Sequence, residues 1–115
     1  MELTVKTSAP YRIVIERGCL AKTGDYAAEL FPRGARAVVV GDSNVLPLYG
    51  ETAAASLRAA GFAAGTFEFP AGEESKRLSS IEEIYRRFAQ NGLTRGDFAV
   101  ALGGGVTGDM TGFAA

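Results

Sequence analysis

The chain has 115 residues, with 12 basic and 13 acidic side chains and a formal net charge of −1. Its 47% hydrophobic and 22% charged residues are the proportions of one ordinary globular domain, which excludes a disordered chain. The absence of any run of like charge excludes an electrostatic footprint for nucleic acid or an anionic membrane, so any phosphate binding has to be local.

The single Cys19 leaves no partner for an internal disulfide. No apolar stretch approaches the ~20 residues of a spanning helix, and Met1–Thr7 has neither a basic start nor an apolar core. The expectation is a cytoplasmic protein with no nucleic-acid or membrane partner. There is no histidine, so the commonest general base and the commonest transition-metal ligand are both missing.

Residues 2–7 (ELTVKT) and 11–16 (YRIVIE) alternate apolar with polar residues and read as an opening pair of strands. Gly18 closes the second. Residues 20–31 form a helix candidate weakened by Gly24 and stopped by Pro32-Arg33-Gly34. Ala37-Val38-Val39-Val40 is an unbroken apolar run of the kind required by a parallel strand buried on both faces.

That strand ends at Gly41-Asp42-Ser43-Asn44-Val45. Asp42 and Asn44 stand on the carboxyl edge of the predicted sheet, where open α/β folds put their ligands. A carboxylate there can accept hydrogen bonds from both hydroxyls of a ribose. The same residue types at the same place also serve as a helix cap.

Leu46, Tyr49, Ala53, Leu57 and Ala60 recur at helical spacing, predicting a helix over 47–60 with Pro47 in its first turn and Gly61 as its stop. Residues 63–69 read as the next strand, ended by Pro70. The connection Pro70-Ala71-Gly72-Glu73-Glu74-Ser75-Lys76 precedes a helix with Ile81, Ile84, Tyr85 and Phe88 on one face. Ser79 with Glu82, or Ser80 with Glu83, would make a capping box at its start, and Asn91-Gly92 would end it. Glu73 and Lys76 read either as solvated loop charges or, on a ligand edge, as a source of positive charge and hydrogen-bond donors.

The last strand, residues 97–102 (DFAVAL), runs into Gly103-Gly104-Gly105-Val106-Thr107-Gly108-Asp109. Met110, Thr111, Phe113 and two alanines can then open a helix. Gly103, Gly105 and Gly108 fit G-x-G-x-x-G, a spacing given weight by its place between a strand and a helix. Glycine allows positive φ in a sharp turn, and its missing Cβ admits a phosphate to the backbone N–H groups. A βα turn with no ligand would look the same locally. Strands alternating with helices after an opening strand pair predict an α/β fold: a Rossmann-like parallel sheet with helices on both faces. Asp42, the Glu73–Lys76 loop and the glycine loop then share one sheet edge.

These three blocks together, in this order, resemble 3-dehydroquinate synthase, a member of the sugar-phosphate cyclase superfamily, over its opening nucleotide-binding part. The resemblance implies an NAD-binding domain over residues 1–115. Asp42 and Asn44 would lie near the adenosine ribose, and Gly72, Glu73 and Lys76 in a second NAD-contacting loop. Gly104, Gly105, Val106, Thr107 and Gly108 would form the pyrophosphate turn, and Asp109 would lie near the nicotinamide and substrate.

It implies conversion of 3-deoxy-D-arabino-heptulosonate 7-phosphate to 3-dehydroquinate plus phosphate, in the shikimate pathway, by a homodimeric NAD- and metal-dependent enzyme. The family's zinc or cobalt is held by one Glu and two His of a helical C-terminal domain. Those ligands have no counterpart here, so the expectation is a part of a longer enzyme that is inactive alone, with no catalytic residue of its own beyond the contact assigned to Asp109. Iron-containing alcohol or glycerol dehydrogenases share the early layout, but they usually carry Lys three residues after the loop Asp, where this chain has Gly112. Another sugar-phosphate cyclase, or a non-catalytic nucleotide-binding module, remains open.

Overall fold

The computed structural model describes residues 2–5, 11–71, 78–90, 92–93, 97–104 and 107. Strands β1 (Glu2–Val5) and β2 (Tyr11–Val14) form an antiparallel pair, with Leu3 opposite Ile13. This pair is shorter than the alternation predicts, β2 ending at Val14 rather than Glu16. Arg12 ties it to the rest of the chain, pairing with Glu2 and Glu29 and lying 5.9 Å from the Tyr26 ring centroid. Both ion pairs are exposed and contribute little to stability.

The second sheet is parallel, with strand order β4-β3-β5, where β3 is Arg36–Asp42, β4 is Ala63–Phe69 and β5 is Phe98–Leu102. Residues 37–40 of β3 are all buried, as its apolar run requires. Side chains alternate across a strand, and the two faces meet different helices. Ala37 and Val39 join Ala27 of α1 (Thr23–Ala28) and Ala53, Ala54 and Leu57 of α2 (Glu51–Ala59). Val38 and Val40 join Ile84 and Phe88 of α3 (Leu78–Gln90), with Phe69 beside them. The parallel sheet with helices on both faces, preceded by a strand pair, is therefore present.

Two helix ends follow one physical rule. At the end of α2, Gly61 has φ +102°, its N–H donates to Arg58 O, and the Phe62 N–H reaches back to Leu57 O. At the end of α3, Gly92 has φ +69°, its N–H donates to Ala89 O, and the Leu93 N–H reaches Phe88 O. Both are Schellman closures, satisfying the last carbonyls through a left-handed residue that glycine adopts without strain. In each, the residue after the glycine packs in the same core cluster as the residue whose carbonyl it caps, Phe62 with Leu57 and Leu93 with Phe88.

Three expectations need correction. The helix predicted over 20–31 is a 3₁₀ turn, Cys19–Lys22, followed by α1, which ends at Ala28. The helix predicted over 47–60 opens with a π-type turn, Leu46–Gly50, before α2. Ser79 and Ser80 lie within α3 rather than at its cap, so the predicted capping boxes are not formed.

The weakness assigned to Gly24 also has a structural reason. A Cβ there would stand 2.0 Å from Ser56 O and 2.9 Å from the Ala60 methyl, so its absence lets α1 lie against α2. Ser56 fastens the contact, accepting from Gly24 N–H at 2.8 Å and donating to Ala21 O at 2.8 Å. Gly24→Ala forces the two helices apart and is expected to lower unfolding stability by about 1–3 kcal/mol or more, as overpacking does. Urea denaturation of the two proteins measures it, and equal midpoints would contradict the close helix contact.

Candidate functional site

The carboxyl ends of the three parallel strands are level. Asp42 pairs in register with Phe69 of β4, and Gly41 with Leu102 of β5. The chain leaves β3 toward β4 through α2 on one face, and reaches β5 on the other side of β3 after α3 on the opposite face. The connections therefore diverge at the carboxyl ends of β3 and β5. This is the switch point at which open α/β sheets leave a crevice for a ligand.

Gly41 allows the β3 end of this crevice to close tightly. A Cβ there would lie 3.1 Å from Leu46 Cδ1 and 3.2 Å from Leu102 O, so the π-type turn and β5 both approach its backbone. Asp42 then turns the chain. Its Oδ1 accepts from Asn44 N–H at 2.9 Å and from Val45 N–H at 2.8 Å. The capping role read as one of two alternatives for Asp42 is thus present. Among the described residues, only these two amides donate to Asp42, and both use Oδ1. The Asn44 side chain is exposed at the same rim.

One residue further on, Ser43 reaches the neighbouring strand, its Oγ accepting the Ala71 N–H at 3.0 Å. The β4 exit is thereby fastened to the β3 exit just before Gly72, Glu73 and Lys76 begin in the sequence. Those three residues lie outside the described ones. On the other side of β3, Gly103 follows β5 with φ +143°, a conformation that other residues rarely adopt. A Cβ on Gly103 would meet Thr107 Oγ1 at 2.9 Å, and Thr107 itself is only 2% exposed. A Cβ added to Gly104 would meet nothing within 4 Å.

The two glycines therefore differ. Packing and backbone conformation demand Gly103, whereas Gly104 is exposed with open space above it, the local requirement for a phosphate to reach main-chain amides. Gly105, Val106, Gly108 and Asp109 of the expected turn lie outside the described residues. Gly103 and Ser43 were not among the assigned contact residues. Gly103 was visible as the first glycine of the spacing, and Ser43 gave no signal because its partner is 28 positions away.

Among the described residues, no three of His, Cys, Asp and Glu lie together as a group able to hold a metal ion. These residues do not fit a zinc or cobalt site. The crevice offers instead a carboxylate with one oxygen uncommitted among the described contacts, an adjacent amide side chain and an open glycine turn, a set suited to hydroxyl groups and phosphate.

The two roles of Asp42 separate by substitution. Asp42→Ala removes the acceptor for two amides and is expected to cost about 1 kcal/mol of stability, whereas Asp42→Asn keeps a capping oxygen and should be nearly neutral. Denaturant midpoints for the three proteins test this, and a destabilisation shared equally by both variants would count against capping.

The family model described as 3-dehydroquinate synthase N-terminal matches residues 66–115. The 3-dehydroquinate synthase of Streptococcus suis is 46% identical over 116 residues, covering 100% of this chain and 32% of the relative. Among solved structures, a 2-deoxy-scyllo-inosose synthase complexed with carbaglucose-6-phosphate, NAD+ and Co2+ superposes with a TM-score of 0.85 at 24% identity, over 100% of this chain and 31% of that one, a likeness of fold. A 2-epi-5-epi-valiolone synthase from Streptomyces hygroscopicus, with NAD+ and Zn2+ bound, gives a TM-score of 0.75 at 28% identity, over 98% and 31%. The chain belongs to the 3-dehydroquinate synthase family, as its N-terminal portion, and spans about a third of the length of the curated relatives it matches.

Proposed function

We propose that this chain is the NAD-binding part of a 3-dehydroquinate synthase, and that residues 1–115 constitute its nucleotide-binding domain. The observation that carries the reading is the switch-point crevice, where Asp42 and the Gly103-Gly104 turn occupy the ends of adjacent strands and the exit of β4 is fastened beside them. The 46% identity to a named synthase selects the activity within the fold.

Asp42 and Asn44 bind the adenosine ribose. With Oδ1 of Asp42 committed to the turn, its second oxygen is the one presented to the hydroxyls. Gly72, Glu73 and Lys76 supply the second nucleotide loop, with Lys76 giving positive charge to a chain that is otherwise close to neutral. Gly104, Gly105, Val106, Thr107 and Gly108 cradle the pyrophosphate, and Asp109 stands near the nicotinamide and substrate. Gly103 and the buried Thr107 hold the shape of this turn rather than adding charge to it.

When bound, NAD supplies transient oxidation of a ring alcohol of the substrate, 3-deoxy-D-arabino-heptulosonate 7-phosphate, which acidifies the neighbouring C–H so that phosphate can leave. The contribution of this chain is to bind and orient the nucleotide. The full-length protein is a homodimer of the cytoplasm acting in aromatic biosynthesis, and its zinc or cobalt is held by residues other than those described here.

Calorimetric titration of NAD tests the reading. The chain should bind saturably, and Asp42→Asn and Lys76→Ala should each weaken binding roughly 10- to 100-fold, the loss expected for one hydrogen bond involving a charged group. Because Asp42→Asn keeps the cap, its loss of affinity cannot be attributed to a disordered turn. A folded chain whose NAD affinity ignored both changes would rule this assignment out.

A further inference from the structure

We infer that Ser43 is a positioning residue of the nucleotide site, holding the β4–α3 connection in place across the strand ends. The inference rests on the NAD reading above and adds a residue that makes no contact assigned to the ligand. Its basis is the single hydrogen bond that joins the exits of β3 and β4, from Ala71 N–H to Ser43 Oγ at 3.0 Å.

The arrangement has a chemical logic. Asp42 Oδ1 accepts from the amides of Asn44 and Val45, so both residues flanking Ser43 belong to a fixed turn and the Ser43 hydroxyl projects from a held backbone. Opposite it, Asp42 is in register with Phe69, and Ala71 lies just two residues beyond Phe69. Within the parallel sheet the ladder would satisfy an amide at this level, but both strands have ended, at Asp42 and Phe69. The Ser43 side chain therefore takes over from the ladder and extends the β3–β4 connection past the end of the sheet.

Ala71 immediately precedes Gly72, Glu73 and Lys76. Pinning the Ala71 amide fixes where that segment starts relative to Asp42 and Asn44. One turn thus serves both halves of the proposed nucleotide contact, Asp42 facing the ribose and Ser43 placing the loop that carries Lys76. Preorganisation of this kind raises affinity by reducing the ordering cost on binding.

The bond is exposed to solvent, and water can replace it at Ala71, so the effect is that of one neutral hydrogen bond. Three proteins test it: the full chain unmodified, Ser43→Ala and Ser43→Thr, each examined by amide hydrogen exchange without nucleotide and by NAD titration. Ser43→Ala should speed Ala71 exchange and raise the NAD dissociation constant, each by roughly 2- to 10-fold, without moving the denaturant midpoint. Ser43→Thr retains the hydroxyl and should restore both.

Unchanged Ala71 exchange in Ser43→Ala would show that the bond does not hold the loop, and would overturn the inference. Faster exchange with unchanged NAD affinity would overturn the positioning role while leaving the nucleotide reading intact. If the unmodified chain bound no NAD, the nucleotide reading would fall and the positioning role with it. Loss of affinity that Ser43→Thr fails to rescue would also refute the role assigned to the hydroxyl.

Discussion

The constraint on which the rest depends is that β3 is buried on both faces. Val38 and Val40 point into one core and Ala37 and Val39 into the other, and an unbroken run of this kind is stable only if helices cover both sides. Burial of each valine side chain stabilises by roughly 1.5–3 kcal/mol. Covering both faces requires the chain to cross once on each, through α2 and then α3, and the strands it delivers lie on opposite sides of β3. The crevice at the carboxyl ends is the geometric result. The apolar run that makes the core therefore also fixes where a ligand can bind.

Glycines around this frame are used in distinct ways. Gly24 lets two helices touch, Gly61 and Gly92 close helices in the left-handed conformation, and Gly103 turns the chain out of β5 against Thr107. At each of these positions the protein itself occupies the space or needs the backbone angle. Gly104 differs, because neither packing nor a positive φ requires it. A glycine unexplained by the protein's own packing, at the mouth of a switch-point crevice, is a position kept open for something else to approach.

The features most legible in the sequence are those set by local periodicity and by punctuating residues. Strands β3 and β4 fall within a residue of the predicted bounds because an apolar run between turn residues is a strong signal, and Gly61 and Gly92 mark helix ends through a backbone angle few other residues accept. The openings of helices were less legible. The π-type turn at Leu46–Gly50 is shaped by Leu46 closing over Gly41 and Gly50, a tertiary contact that leaves no mark in the periodicity. Ser79 and Ser80 resemble caps only as long as the helix is assumed to begin with them. In the site, Asp42 and the glycine turn carry their own local chemistry, whereas Ser43 and Thr107 acquire their structural roles from partners brought near by folding.

Asp42 shows why a choice between a structural and a ligand-binding role can be a false one. A carboxylate has two oxygens and about four acceptor sites. Both backbone amides of the turn are satisfied by Oδ1 alone. Fixing one oxygen in this way also fixes the plane of the carboxylate, so the second oxygen is held in a defined direction before any ligand arrives. The cap is thus the means by which the acceptor for a ribose is oriented. An alanine at this position would lose the turn and the acceptor together, while an asparagine would keep the turn and place an amide group where the second carboxylate oxygen had been. The residue that ends the central strand, starts the next helical segment and faces the crevice does all three with one side chain, because the level strand ends place those tasks at a single point.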